Sequence, residues 1–243
     1  MYIVFGATGA VGGALCERLN RAGATVVACG RDESRLAALR KVHDATTLSC
    51  DVTSLESVES VITQAVDAHG PPSGIANCAG SLLLKPAHLT TADEWADTLS
   101  VNLTGAFNVI RTGVRAMLSS GGSIVLVSSV AGRMGLPNHE AIAAAKAGVI
   151  GLTLASAASY ASRGIRVNCV APGLTRSIMT ERIFESESSL KASVAMHPIG
   201  RPGEPEDIAS AIAWLLDPEN TWVTGQVIGV DGGLGSVKAR ARA

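Results

Sequence analysis

The feature of this sequence that most restricts its fold is a series of seven short apolar runs rich in β-branched residues. Longer stretches with helical periodicity separate the runs, which cover Ile3 to Phe5, Thr25 to Cys29, Thr47 to Cys50, Gly74 to Asn77, Ile124 to Ser128, Arg166 to Val170 and Val227 to Val230. Most runs are apolar at successive positions, as parallel strands buried on both faces are. Strands that alternate with helices predict right-handed crossovers. We therefore expect an α/β, doubly wound fold, with a seven-stranded parallel sheet and helices on both faces.

The composition agrees with one α/β domain built around a closely packed core. Of the 243 residues, 47% are apolar, only 3% are aromatic and 26 are glycine. The core must therefore consist of Ala, Val, Ile and Leu that pack near the backbone. Since no Pro/Ser-rich linker or charge run divides the chain, we expect a single domain over residues 1–243.

The charge distribution argues against nucleic acid and membrane partners. The formal net charge is -1, and Lys and Arg are scattered apart from the short tail from Lys238 to Ala243. The first apolar run leads directly into a glycine-rich turn, which a secretory signal would not do, and no uncharged apolar stretch is long enough to cross a bilayer. We expect a cytoplasmic protein with a small-molecule ligand, no nucleic acid and no membrane.

The five cysteines are interpreted as core residues. They are odd in number, lack CxxC spacing and fall mostly in or just after the predicted strands: Cys16, Cys29, Cys50, Cys78 and Cys169. At such positions Cys acts as a small hydrophobic residue. The pattern predicts no metal site.

The first candidate binding element is a glycine-rich turn directly after the first run. Its spacing from Gly6 to Gly12 is Gly-x-x-Gly-x-x-Gly, and it opens a helical pattern that carries Leu15 and Leu19. Glycine is needed where a chain turns sharply or approaches a pyrophosphate, whose charge the N–H groups of a helix N-terminus stabilise. Any tight connection of strand to helix also favours glycine. The turn therefore indicates a nucleotide only in context.

The end of the second run supplies that context in the stretch Cys29-Gly30-Arg31-Asp32. An acidic residue here would bind the adenosine ribose, whereas an Arg would accept a 2′-phosphate. The Arg31 guanidinium fits a phosphate, Gly30 leaves room for it, and Asp32 is explained as the N-cap of the next helix. This interpretation favours NADP(H). The alternative is a solvated Arg31, with Asp32 on the ribose of NAD(H).

From Gly6 to Gly233 the chain resembles the short-chain dehydrogenase/reductase family of Rossmann-fold enzymes, in particular its 3-oxoacyl-carrier-protein reductase-like members. The motifs that carry the resemblance include Asp51-Val52, Asn77-Cys78-Ala79-Gly80, Val101-Asn102-Leu103-Thr104-Gly105, Asn168 to Gly173 and Val230 to Gly233. Two positions depart from the family pattern, since Ala10 replaces a glycine and Cys78 an asparagine.

The resemblance implies hydride transfer between the nicotinamide and a small carbonyl or alcohol substrate. It implies that Ser129 holds the substrate oxygen, that Lys146 binds the nicotinamide ribose and that Asn102 holds a water relay. It further implies that NADP(H) is bound by Gly6, Thr8, Gly9, Val11, Gly12, Arg31, Asp51, Val52, Asn77, Ala79, Gly80, Lys146, Pro172, Gly173 and Ser177.

The resemblance fails at the residue that transfers the proton. The family's tyrosine precedes the lysine by four positions and follows the serine by thirteen, and both spacings lead to Ile142. An aliphatic side chain cannot donate a proton, and a well-placed general acid contributes on the order of 10²–10⁴-fold in rate. His139, Lys146 itself, or a water held by Ser129 and Asn102 are the alternative sources.

Two functions therefore stay open. One is an NADP(H)-dependent oxidoreductase with an atypical proton path, and the other is a nucleotide-binding pseudoenzyme that partners or regulates an active relative.

The resemblance also implies a homodimer or homotetramer, in which the helices around Asn102 and Lys146 form the interface. Small residues would permit close packing there, or would pack on the sheet instead: Ala143, Ala147, Gly148 and Gly151. The resemblance places a variable lid from Ser177 to Gly200, whose mixed apolar and charged residues leave the substrate open.

Overall fold

The computed structural model describes residues 1–42 and 45–238, so the basic tail beyond Lys238 lies outside the described residues. Within them, seven parallel strands form one sheet in the order β3-β2-β1-β4-β5-β6-β7. The strands are β1 (Tyr2–Phe5), β2 (Val26–Gly30), β3 (Thr46–Ser49), β4 (Gly74–Asn77), β5 (Gly122–Val127), β6 (Ile165–Pro172) and β7 (Val227–Val230). The predicted doubly wound sheet is confirmed.

Helices cover both faces of the sheet. They are α1 (Ala10–Arg21), α2 (Glu33–Val42), α3 (Leu55–His69), α4 (Ala92–Leu99), α5 (Gly105–Met117), α6 (Glu140–Tyr160), α7 (Glu181–Glu185), α8 (Glu187–Met196) and α9 (Pro205–Leu216). One core joins α1 and α9 to the sheet through Leu15 and Ile212. The other joins α3, α5 and α6 through Ile62, Val109 and Val149. Helices α7 and α8 follow the carboxyl end of β6 and form the lid.

Helix α6 illustrates why apolar patterning alone does not define a membrane segment. Within residues 140–163 an 18-residue stretch has a mean hydropathy of 1.6, so this helix is long and apolar enough to cross a membrane. The sequence prediction that no such stretch exists overlooked it, because that prediction required an uncharged run and Lys146 interrupts this one. In the structure α6 lies against β6, with Val149 and Ala157 buried in the core. A helix that covers a parallel sheet needs this apolar composition.

The cysteines pack as small core residues, as the sequence predicts. Cys16, Cys29, Cys50 and Cys169 are buried, and Cys78 is half-buried at the end of β4. Burial raises the pKa of the Cys16 thiol to about 12. Within residues 1–42 and 45–238, no cluster of three His, Cys, Asp or Glu residues could hold a metal ion.

The topology brings the candidate residues to one edge of the sheet. From β1 the chain runs outward to β2 and β3, and then returns to place β4 on the other side of β1. The register aligns the ends of these strands, since Phe5 pairs with both Cys29 and Asn77. Ligands of such sheets bind beyond the carboxyl ends of the strands, at the point where the order reverses.

Candidate functional site

The turn after β1 has the geometry of a phosphate cradle. Gly6 adopts a φ of 73°, and a Cβ on Gly12 would collide with the Gly6 carbonyl. Helix α1 begins at Ala10. Among the described residues, no side chain caps the N-terminus of α1 at Gly9, and the first turn of α1 carries no acidic residue. The free N–H groups of this helix N-terminus therefore face the carboxyl edge of the sheet, where they favour an anion.

The end of β4 closes against the same turn. A Cβ on Gly6 would lie 2.5 Å from the Ala79 nitrogen, so only glycine permits this approach. Asn77 is buried, and its Oδ1 accepts a hydrogen bond from the Ala79 N–H at 3.2 Å. The glycine-rich turn and the Asn77–Gly80 motif therefore lie directly against each other.

The structure explains Gly30 by packing within the chain instead of by room for a phosphate, and it supports the interpretation of Asp32 as an N-cap. A Cβ on Gly30 would stand 2.9 Å from the Thr8 side chain, so Thr8 occupies the space that the sequence analysis assigned to a phosphate. Asp32 Oδ1 accepts hydrogen bonds from the Arg35 N–H at 3.0 Å and from Ser34 Oγ at 2.6 Å. Its carboxylate is thus the N-cap of α2, and these bonds lower its pKa.

Arg31 lies exposed beside the end of β3. Its guanidinium is near enough to contribute to the lowered pKa of Asp51, although the main cause is the hydrogen bond that Asp51 accepts from the Thr53 N–H at 3.0 Å. Asn108 on α5 donates to the Val52 carbonyl at 2.9 Å and holds this loop in place. Sequence reasoning did not single out Asn108, because its partner lies 56 positions away.

Asn102 lies in a π-helical turn, Ser100–Thr104, between α4 and α5. Its Nδ2 donates to the Thr98 carbonyl at 3.0 Å and to Ser81 Oγ at 2.9 Å, while its Oδ1 accepts from the Ser81 N–H at 3.2 Å. All three hydrogen bonds of the Asn102 side chain are therefore made with Ser81 and Thr98. Asn102 thus sets the position of Ser81, and Ser81 in turn lines the central cavity.

Ser129 and Lys146 meet where β5 ends against α6. Ser129 Oγ accepts a hydrogen bond from the Ala131 N–H at 3.1 Å, and Ser128 Oγ donates to the Lys146 carbonyl at 2.8 Å. A Cβ on Gly132 would stand 2.8 Å from the Lys146 carbonyl carbon. The glycine therefore lets α6 approach closely enough for both functional side chains to face one space.

The Lys146 ammonium is buried and weakly compensated. Its Nζ donates to the Val127 carbonyl at 2.9 Å, and among the described residues no ion pair includes it. Burial lowers the pKa of Lys146 to about 8, because the charged form loses its hydration. The ammonium can therefore release a proton near neutral pH.

Ile142 lines the same cavity one helical turn before Lys146, and only 3% of its surface is exposed. The cavity has a volume of about 380 Å³ and is bounded by the glycine-rich turn, the ends of β4, β5 and β6, and the lid. Its apolar wall includes Leu82, Leu84, Leu136, Ile142, Met179, Ile183 and Met196. An aliphatic group therefore occupies the predicted tyrosine position.

His139 also borders the cavity, but it lies at the N-cap of α6 rather than within the helix. Its Nδ1 is 2.7 Å from the Pro137 carbonyl oxygen, which can only accept, so Nδ1 carries the proton. The tyrosines offer no substitute: Tyr2 begins β1 and Tyr160 ends α6, so both lie at the opposite edge of the sheet.

The loop after β6 forms the roof of the cavity. Pro172, Gly173 and Ser177 all border it. Thr180 Oγ1 donates to the Thr175 carbonyl at 2.7 Å and accepts from the Ser177 N–H at 3.1 Å, which holds the start of the lid beside the loop.

The sequence analysis missed His197, which the structure buries between the lid and this loop. Its Nε2 is 3.2 Å from the Leu174 nitrogen and its Nδ1 is 2.7 Å from the Ser193 carbonyl oxygen. Both partners are backbone groups. A sequence pattern therefore contains no signal for these contacts.

The predicted residues fall into two groups in space. Those that border the cavity are Gly9, Val11, Gly12, Ala79, Gly80, Ser129, Lys146, Pro172, Gly173 and Ser177. The others are not among the residues that border it: Gly6, Thr8, Arg31, Asp51, Val52, Asn77 and Asn102. An elongated ligand that reached from Arg31 to Lys146 would pass over the glycine-rich turn.

Comparison with known proteins agrees with this geometry over nearly the whole chain. A family model described as Enoyl-(Acyl carrier protein) reductase matches residues 6–235. The 3-oxoacyl-[acyl-carrier-protein] reductase FabG of Vibrio harveyi is 36% identical over 239 residues, which cover 96% of each chain. A crystal structure of an actinorhodin polyketide ketoreductase variant with NADPH has a TM-score of 0.92 and 31% identity, and the match covers 97% of each chain.

One further relative is named as inactive. Inactive 2-(S)-hydroxypropyl-CoM dehydrogenase 2 of Xanthobacter autotrophicus is 38% identical over 224 residues, which cover 89% of this chain and 97% of that protein. The family model and these relatives each cover most of the chain. This chain belongs to the short-chain dehydrogenase/reductase family of oxidoreductases.

Proposed function

We propose that this protein transfers hydride between NADP(H) and the carbonyl or alcohol carbon of a small substrate, with Lys146 in the role of proton donor. The observation that carries the proposal is that Ser129, Ile142 and Lys146 border one cavity together with the glycine-rich turn and the Pro172–Gly173 loop. The relatives that are named as reductases support the reaction class.

The turn at Gly6–Gly12 fits a dinucleotide, because Gly6 and Gly12 let the backbone pack closely there and the N-terminus of α1 has no side-chain cap. When bound, NADP(H) supplies or accepts the hydride. The free N–H groups of α1 would hold its pyrophosphate, and the Lys146 ammonium would bind the nicotinamide ribose. Asp51, Val52, Asn77 and Ala79 would contact the adenosine half from the ends of β3 and β4.

Reduction of a carbonyl consumes one proton for each hydride, and in this chain the tyrosine that would donate it is absent. Ser129 would hold the carbonyl oxygen through its hydroxyl. Lys146, with its pKa lowered to about 8, would release the proton to that oxygen through a water near Ser81. His139 is the alternative donor, and His139→Ala would abolish the reaction if that alternative were correct.

The phosphate preference is proposed from Arg31 and Asp32. The Asp32 carboxylate already caps α2, which supports the view that it does not hold a ribose. Arg31 is exposed at the carboxyl edge, where a guanidinium would form charge-assisted bonds to a 2′-phosphate. We therefore propose NADP(H) over NAD(H).

The apolar wall points to an uncharged substrate. No Asp or Glu borders the cavity among the residues described, whereas twelve Val, Leu, Ile and Met side chains do. An apolar carbonyl compound would be desolvated there, and a carboxylate next to its reactive carbon would lose its hydration without an Arg partner.

The second candidate function is a pseudoenzyme that binds the nucleotide without hydride transfer. Ile142 favours it, and so does the 38% identity to a relative named as inactive. In that case the protein would stabilise or regulate an active relative.

Assembly, location and domain extent are also proposals. Helices α5 and α6 expose Phe107 and Leu154, each about half accessible, and these would bury in a homodimer or homotetramer. The glycine at position 148 is explained by packing within one chain, because a Cβ there would collide with the Leu103 side chain. We further propose that residues 1–243 form one cytoplasmic domain.

The test is NADPH consumption with a panel of uncharged ketones, aldehydes and acyl thioesters, and NADP⁺ reduction with the matching alcohols. We expect turnover with at least one apolar carbonyl, and a loss of roughly 10²-fold or more in Ser129→Ala. NADPH binding without turnover on any compound would favour the pseudoenzyme.

A further inference from the structure

His197 ends the lid helix α8 in a way that turns its ring back into the protein. It is the C-cap of α8, only 4% of its surface is exposed, and its backbone N–H donates to the Val194 carbonyl at 3.0 Å. Pro198 follows, and a residue before proline avoids the helical region, in agreement with the His197 ψ of 110°. The helix therefore stops where the imidazole can reach two different segments.

The two ring nitrogens have different partners, and these define one tautomer. Nδ1 lies 2.7 Å from the Ser193 carbonyl oxygen, which only accepts, so Nδ1 carries the proton. Nε2 lies 3.2 Å from the Leu174 nitrogen and therefore accepts from that N–H. The neutral ring satisfies a terminal carbonyl of α8 and an amide of the loop after β6.

The surrounding backbone leaves no freedom for this ring. A Cβ on Gly173 would stand 2.7 Å from Nε2, and a Cβ on Gly232 would stand 3.6 Å from the His197 Cβ. The imidazole therefore fills a slot between two glycine segments. The Leu174 carbonyl accepts from the Gly203 N–H at 2.8 Å, so both backbone groups of Leu174 are bonded to the segment that includes and follows the lid.

This contact couples two walls of the central cavity. The loop Pro172–Leu174 forms the roof, and α8 contributes Ser193 and Met196 to the opposite side. Loss of the His197 bond would leave the N–H of the half-buried Leu174 without this acceptor and would remove the link between α8 and the loop.

We propose that His197 is a positioning residue that locks α8 to the Pro172–Leu174 loop and thereby holds the nicotinamide end of the nucleotide site. The inference rests on the proposed function, which places the nicotinamide ribose at Lys146, in the cavity that this loop borders. His197 acts through Leu174 and does not itself take part in proton or hydride transfer.

Two substitutions separate the two bonds of the ring. Gln places a side-chain oxygen near the position of Nε2 and can accept from the Leu174 N–H, whereas Asn places its amide near Nδ1 and can donate only to the Ser193 carbonyl. We expect His197→Asn to weaken NADPH binding about fivefold or more and to speed hydrogen exchange at the Leu174 amide, while His197→Gln stays within about twofold of the parent. Equal losses, or the greater loss in His197→Gln, would overturn the proposal in favour of a role within α8 alone.

A fragment of the nucleotide distinguishes this inference from the proposed function. Adenosine 2′,5′-bisphosphate would occupy the Arg31 end without reaching Leu174, so its affinity should be the same in the parent and His197→Asn. A parallel loss of fragment affinity would overturn the inference. If the parent bound neither NADPH nor the fragment, the proposed function would fail, and exchange at Leu174 would alone decide whether His197 holds the loop.

Discussion

Ile142 lies one helical turn before Lys146 on α6, and the two buried side chains border the same cavity, with 3% and 7% of their surfaces exposed. Residues four apart on a helix share a face, so a side chain at position 142 reaches the space between Ser129 and Lys146. An aliphatic group thus lies where the resemblance to the family leads us to expect the proton donor.

Ile142→Tyr should create or raise carbonyl reduction by roughly 10²-fold or more. A phenol there would lie beside the Lys146 ammonium, which would lower the pKa of the phenol and supply the missing acid. NADPH oxidation over the carbonyl panel measures the gain, and Lys146→Ala in the Ile142→Tyr background should remove most of it.

Ile142→Phe is the matched control, because it adds a ring of similar volume without the hydroxyl. Overpacking would impair both variants equally. If the Tyr and Phe variants bound NADPH and turned over at the parent's rate, a hydroxyl at position 142 alone would not be enough to restore carbonyl reduction.

Arg31→Ala should weaken NADPH binding by about tenfold or more and leave NADH binding nearly unchanged, because only the 2′-phosphate needs the guanidinium. Calorimetry with both nucleotides gives the two affinities. Arg35→Ala serves as the control, since Arg35 pairs with Asp32 on the same exposed surface. Parent affinities that were equal for NADH and NADPH would show that Arg31 does not select the nucleotide.

Lys146→Met should stabilise the nucleotide-free protein near pH 7 by up to about 3 kcal/mol, because it removes a buried charge. Burial lowers the pKa of Lys146 from 10.5 to about 8, so the unfolded chain binds more protons than the native one between these values. The free energy of unfolding of the parent therefore rises with pH across this window, and the stability difference between the variant and the parent becomes smaller. Denaturant unfolding at both ends of the window tests this, and a pH-independent difference would refute it.

Leu154→Arg should shift the assembly towards monomers if α5 and α6 form the subunit interface. Leu154 is 50% exposed in one chain, and a guanidinium buried there without a partner would destabilise the contact. Light scattering of the parent and variant gives the mass. Leu89→Arg, at another exposed leucine outside these helices, is the control and should leave the mass unchanged.

The sequence predicted the sheet well because successive apolar positions identify buried parallel strands. Gly74–Asn77 and Val227–Val230 match to the residue. The sixth strand is longer than predicted, Ile165–Pro172, because pairing with β5 on one side and β7 on the other extends it beyond its apolar centre.

Parts of the site could not be predicted, since they depend on contacts between distant backbone atoms. His197 bonds only to main-chain groups, and Asn108 reaches the Val52 carbonyl across 56 positions. Gly30 was assigned to a phosphate because local sequence does not reveal that Thr8 fills that space. Ile142 does border one cavity with Ser129 and Lys146, while its equivalence to the family's tyrosine stays a prediction.

The most direct test of the account is the rate of hydride transfer from bound NADPH to a carbonyl substrate in a single turnover, measured from about pH 6 to about pH 10. If Lys146 donates the proton, the rate should be constant at low pH and fall above about pH 8, as the ammonium loses its proton. A rate that does not change over this range, or the absence of hydride transfer at every pH, would contradict the role assigned to Lys146.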